Sequence, residues 1–141
     1  MTASFSADSG VAISLIDAAQ KIPQPTLNSA RLHLLDALAV GVLAARHGPV
    51  TGVTQLEQSR NCGQSSVLGR EESGNAAIAA LINGTLIHSL EFDDTHVASV
   101  MHGSSVLAST ALACAENEQV TVGELIRAFT IGWEFLIRIG L

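Results

Sequence analysis

The chain reads as an all-α protein, a bundle of helices joined by short turns. Three observations carry that expectation. Apolar residues recur at the 3.6-residue period of a helix over several stretches longer than a strand. The composition is 48% hydrophobic but only 4% aromatic, and Ala, Gly and Ser dominate it. That mix suits close helix packing better than a β-sandwich, which draws on Val, Tyr, Phe and Trp. Pro, Gly and capping residues fall between the periodic stretches, where helices stop and start.

Taken in order, residues 1–8 are expected to be flexible, and a first helix covers Ser9 to Ala19. It stops before Ile22-Pro23-Gln24-Pro25, where proline forbids continuation. Thr26 then caps a longer helix from Leu27 to about Arg46, with Leu27, Leu34, Leu35, Leu38, Val42 and Ala45 in helical spacing. His47-Gly48-Pro49 ends it. A short helix over Thr51 to Ser59 follows. Ser65 to Gly69 reads as extended, but one such piece does not make a sheet. Ser73 starts the next helix, which runs through Ala76 to about Leu90. Ala79, Ala80 and Gly84 within it admit a second backbone at close range, although glycine there costs about 1 kcal/mol relative to alanine. Ser104 or Ser105 opens a helix to about Ala115. The last helix is the clearest, since Thr121-Val122-Gly123-Glu124 is a capping box. Val122, Leu125, Ile126, Phe129, Trp133, Leu136 and Ile137 then share one stripe, and Glu134 can pair with Arg138 one turn on. No stop signal precedes Leu141, so the 141 residues are expected to be part of a larger helical domain, or to have a partner that covers the stripe.

Charge narrows the function classes. Net charge is −6 and the seven Lys and Arg residues are scattered singly, which argues against a nucleic-acid partner. The mean hydropathy of +0.38 is high, but the longest apolar run, Ala37 to Ala45, is too short to cross a bilayer. No Lys or Arg precedes Lys21 and Asp8 interrupts the first apolar run, so no secretory signal is expected. Cys62 and Cys114 lie far apart without CxxC spacing, as in a reducing compartment. The expected location is cytoplasmic.

Against this background one stretch stands out. Only 14% of residues are charged, where an ordinary domain has roughly 25%. Yet His88-Ser89-Leu90-Glu91-Phe92-Asp93-Asp94-Thr95-His96, with His102-Gly103-Ser104-Ser105 soon after, gathers three carboxylates and three imidazoles. Each costs desolvation energy if buried unpaired. Three readings are open. In proton chemistry, His102 or His96 acts as base or acid with Asp93, Asp94 and Glu91 beside it, and Thr95 and the helix start at Ser104 receive an anion. In metal binding, His88 and Glu91 at i, i+3 join Asp93, His96 and His102, a mixed set that suits zinc or iron, although no HExxH-type spacing is present. In the third, Asp93, Asp94 and Thr95 merely build a turn. Outside the cluster, His33 reads as a packed or surface histidine, His47 as a turn residue, and Trp133 as core.

Ala79-Ala80-Leu81-Ile82-Asn83-Gly84-Thr85, running into His88-x-x-Glu91-Phe92-Asp93-Asp94-Thr95-His96, resembles the MmgE/PrpD family. Leu34-Leu35-Asp36-Ala37-Leu38-Ala39-Val40 and Gly132-Trp133-Glu134-x-x-x-Arg138-Ile139-Gly140 carry the same resemblance, which runs from about Leu27 onward. The family includes 2-methylcitrate dehydratase, aconitate decarboxylase and iminodisuccinate epimerase. The resemblance implies the N-terminal part of an all-helical domain, with a second α+β domain absent from this chain. It further implies a homodimer, no metal or organic cofactor, and a small carboxylic acid as substrate. The implied activity is lyase or epimerase chemistry, beginning with proton abstraction α to a carboxylate. Family site positions fall on Glu91, Asp93, Asp94, Thr95 and His102. On this basis His102 transfers the proton, Asp93 and Asp94 orient it or act as acid, and His96 is the substitute. Thr95, Glu91 and Ser104 bind substrate. Two positions depart from the family pattern: Glu91 stands where Asp is usual, and Gly103 follows His102 where proline is usual. Rival expectations are a helical module that only packs or associates, and a metal-binding helical protein.

Overall fold

Helices occupy most of the places that the apolar spacing assigns to them. The computed structural model describes residues 21–47, 63–71 and 73–141, together with 13, 14 and 17. Of the expected Ser9–Ala19 helix only those last three are described, and they are helical. The expected Thr51–Ser59 helix, residues 1–8 and Cys62 lie outside the described residues. Cys114 is exposed and free.

Helix α1 spans Gln24–His47, and its start corrects the sequence expectation. Pro25 lies inside the first turn rather than before the helix, and the Leu27 N–H donates to Pro23 O at 3.2 Å. Proline is tolerated there because a first-turn N–H has no helical partner to lose. Thr26 is therefore a helical residue and not the cap. Helix α1 is long and apolar enough to cross a membrane by length and composition. It nevertheless buries Leu27, Ala30, Leu34, Ala37, Val40, Gly41 and Ala44 and carries Arg31, His33 and Asp36, which is how a core helix is built.

Two very short strands follow, β1 (Ser65–Ser66) and β2 (Ser73–Gly74), paired antiparallel with Ser65 opposite Gly74. Ser73 is thus a strand residue. Asn75 caps helix α2 (Ala76–His88) instead, its Oδ1 accepting the Ile78 N–H at 2.9 Å. The extended piece finds its sheet partner within ten residues. Asn83 ties α2 to it from inside: its Oδ1 accepts the Leu68 N–H and its Nδ2 donates to Ser66 O, both at 2.8 Å. A fully buried amide is affordable only with both ends paired in this way.

Helix α3 (Gly103–Asn117) packs along α2. A side chain at Gly84 would meet Ser109 Oγ at 3.1 Å and Ser105 O at 3.2 Å, so the glycine sets how near the two backbones lie. Helix α4 (Val122–Gly140) begins with the expected capping box, Thr121 and Glu124 bonding each other's backbone N–H. Leu125, Ile126 and Phe129 of the stripe are buried, whereas Val122 at the helix start is exposed. Glu134 and Arg138 pair on the outer face. The core joins Leu27, Leu34 and Ala37 of α1 to Ile87, Ala108 and Phe129. A second apolar cluster, with Val67, Ile82 and Ala113, lies under the strands. The C-terminus of α2, the N-terminus of α3, His33 of α1 and Trp133 of α4 converge on the loop 89–102.

Candidate functional site

Two backbone devices shape that loop. Glu91 takes a left-handed conformation, φ 56°, just after α2 ends, and its N–H bonds His88 O at 3.1 Å. His96 and Met101 then exchange backbone hydrogen bonds at 2.9 and 3.3 Å, closing residues 97–100 into a tight excursion with Val100 at φ 52°. A β-branched residue is strained there. The excursion brings the chain back so that His102, at the head of α3, meets Asp93.

Asp93 is the centre of the cluster. Its side chain is wholly removed from solvent, and His88 Nδ1 lies 3.0 and 3.1 Å from its two oxygens. His102 Nδ1 lies 3.5 Å from Oδ2, and the two rings meet edge to face with centroids 5.1 Å apart. Thr95 Oγ1 is 3.4 Å from His102 Nδ1. The hydrogen bond to Asp93 holds His88 above the usual imidazole range. Burial opposes that rise, while the charges of Asp93 and Glu91 add to it. His88 also sits in the last turn of α2, where the helix dipole favours a cation.

Asp94 forms a second node. Its Oδ2 accepts from Ser104 Oγ at 2.7 Å and lies 2.8 Å from His33 Nδ1, while Oδ1 accepts the Ser104 N–H at 3.2 Å. His102 makes no side-chain cap at the start of α3, so Asp94 satisfies the helix N-terminus from outside. The Trp133 indole N–H donates to the same Ser104 hydroxyl at 3.3 Å. Trp133 also accounts for Gly103. A Cβ there would lie 2.5–2.7 Å from three carbons of the indole, so any side chain, proline's included, would collide.

Of the residues expected from sequence, Asp93, His102 and Thr95 come together, and Asp94 joins Ser104. Glu91 stands at the rim, largely exposed, with Oε1 4.0 Å from His88 Nε2. His96 does not join them: its Nδ1 is engaged by Ser99, at 2.7 Å from Oγ and 3.3 Å from the N–H. Three participants were not assigned these roles from sequence: His88 as the closest partner of Asp93, His33, and Trp133. An open groove of about 570 Å³ runs alongside, walled by Ala80, Gly84, His88, Glu91, Ser105 and Ser109 among others. His88 and Glu91 are the cluster members that reach it. The donor atoms of His88, Asp93 and His102 lie within 4.8 Å of one another, so this set can also hold a metal ion.

Residues 17–141 match the model of the MmgE/PrpD N-terminal domain. The chain belongs to the MmgE/PrpD family. Among its relatives is the cis-aconitate decarboxylase-like protein oryM of Aspergillus oryzae, 30% identical over 128 residues that cover 84% of this chain. The chain spans 26% of that relative's length. No solved structure gives a significant match. The family is one of dehydratase- and decarboxylase-type enzymes, and the all-helical architecture agrees with its N-terminal domain. In this MmgE/PrpD chain the acidic run and the later histidine meet through space because the 97–100 excursion folds the loop onto itself.

Proposed function

We propose that this chain supplies the proton-handling part of an active site that works α to a carboxylate in a small di- or tricarboxylic acid, as a dehydratase or decarboxylase does. The carrying observation is a fully buried carboxylate, Asp93, set between two imidazoles. His102 turns its Nδ1 toward Asp93, which leaves Nε2 to take the substrate proton. The Asp93 charge stabilises the imidazolium that forms. Its 3.5 Å separation from Oδ2 is loose for a hydrogen bond, and such contacts commonly tighten once substrate is bound. His88, already biased toward its charged form by Asp93, sits on the groove wall as the acid that returns a proton to a leaving group or carbanion. Thr95 donates its hydroxyl to a substrate carboxylate. Ser104 is occupied by Asp94 and holds the loop rather than the substrate.

None of these groups is a permanent cation, and a polycarboxylate needs some. Within this reading those cations come from sequence outside the 141 residues, in a longer, homodimeric, cytoplasmic enzyme without a cofactor. His102→Ala in the complete enzyme is expected to lower turnover about 10²-fold or more, the scale of general acid–base catalysis. The measurement is turnover of methylcitrate, cis-aconitate and iminodisuccinate, alongside solvent deuterium incorporation at the α-carbon. Unchanged turnover on the preferred substrate overturns the assignment.

A further inference from the structure

We propose that His88, Asp93 and His102 also form a binding site for a zinc-type divalent ion, which takes the place of the shared protons and so acts as a reversible inhibitor. The inhibitory half rests on the proton-transfer reading above; the binding half stands on geometry alone.

Zinc holds nitrogen and oxygen ligands at roughly 2.0–2.2 Å, which puts neighbouring donor atoms about 3.0–3.5 Å apart for bond angles between 90° and 109°. His88 Nδ1 and His102 Nδ1 lie 3.0 and 3.5 Å from the same Asp93 oxygen, and each of the three residues offers a donor atom within 4.8 Å of the other two. The longer contact is beyond good hydrogen-bond range, yet it is the edge length of a tetrahedral site. Two neutral imidazoles and one carboxylate match the donor set of zinc centres that keep a position open for water. The cluster also has outer support. Glu91 Oε1 stands 4.0 Å from His88 Nε2, where a carboxylate orients a metal-bound imidazole. Asp93 is already desolvated and Glu91 and the His96–Met101 pairing hold the backbone, so little ordering is needed on binding.

Coordination uses the Nδ1 lone pairs, so each ring carries its remaining proton on Nε2 and the His88–Asp93 hydrogen bond is lost. No proton can then pass between the imidazoles and Asp93. The ion and the acid–base function exclude each other.

The test is titration of the metal-free chain with Co²⁺, followed by visible d–d absorption, and with Zn²⁺ by calorimetry. One ion per chain is expected, with affinity at least about tenfold weaker in His88→Gln and in His102→Gln and unchanged in His96→Gln. His88→Gln alters a partly exposed side chain, and its helical circular dichroism is recorded to show that it folds. Absence of a 1:1 complex, or a thiolate-to-cobalt charge-transfer band from Cys114, overturns the site. In the complete enzyme, added Zn²⁺ is expected to abolish turnover and a chelator to restore it. Tight 1:1 binding with turnover unaffected overturns the inhibition alone. Loss of the metal site leaves the proton-transfer reading to be judged by His102→Ala.

Discussion

Asp93 and Asn83 show how single residues impose order here, because each is a polar group placed where water cannot compensate it. Asn83→Leu keeps the volume but strands the Leu68 N–H and the Ser66 carbonyl, both now paired at 2.8 Å. Each orphaned group costs about 1–3 kcal/mol, so a loss of roughly 2–6 kcal/mol in urea unfolding is expected. His88 gives a pH signature instead. The fold favours its charged form, through the hydrogen bond to Asp93 first, so its folded pKa lies above the ordinary 6.5. That stabilisation is complete below 6.5 and fades as pH rises through the folded value. The stability gap between the wild-type chain and His88→Gln should therefore be widest at pH 5.5–6 and narrow on the alkaline side, as measured by denaturant midpoints. A gap that widens with pH contradicts the His88–Asp93 pairing. Much of this site was legible residue by residue, since Asp93, Asp94, Thr95 and His102 stand in one charged run of an apolar chain. The partner choice was not. His88 reaches Asp93 only because Glu91 turns left-handed between them, and a glutamate gives no local warning of that conformation.

Elements were legible where apolar period and caps agreed, as in α4, whose capping box formed as expected. Boundaries failed where a residue type serves two purposes. Pro25 ends a helix in most positions but is harmless in a first turn, and Ser73 caps helices yet here pairs with Ser66 in a strand. Packing between elements was legible only in part: Gly84 marked where a second backbone comes close, whereas the pairing of Gly103 with Trp133 spans 30 positions and left no local sign. The consequence is testable. Gly103→Ala places a methyl within 2.5–2.7 Å of the indole, and either α3 or Trp133 must move. Overpacking of this kind costs about 1–3 kcal/mol. Trp133 is the chain's single tryptophan, so its displacement toward solvent should appear directly as a red shift in emission, together with a lower melting temperature. A variant with unshifted fluorescence and unchanged melting contradicts this packing.

At the scale of the whole molecule, the loop is held by contacts that come from three helices at once. Asp94 receives Ser104 of α3 through two hydrogen bonds and His33 of α1 through a third, and Trp133 of α4 closes on the same serine hydroxyl. His33 lies 61 residues from Asp94 in sequence, so periodicity along α1 could only mark it as a polar residue among leucines. The node separates two roles that adjacent aspartates could have shared: Asp93 serves the imidazoles, whereas Asp94 fastens α1, α3 and α4 around them. Removing the fastener should therefore loosen the bundle and misplace His102 without touching its partner. Asp94→Ala removes the acceptor of the Ser104 N–H and hydroxyl near the start of α3, leaving that hydroxyl only the Trp133 N–H, and is expected to cost about 1–3 kcal/mol. His33→Ala should cost less, because its ring is half exposed and Ser104 remains satisfied. Amide exchange adds a readout that global stability lacks: the Ser104 N–H should lose protection in Asp94→Ala well beyond the average for α3, and keep it in His33→Ala. Equal loss of protection across all of α3 would mean that Asp94 stabilises the fold as a whole and does not specifically anchor this helix end.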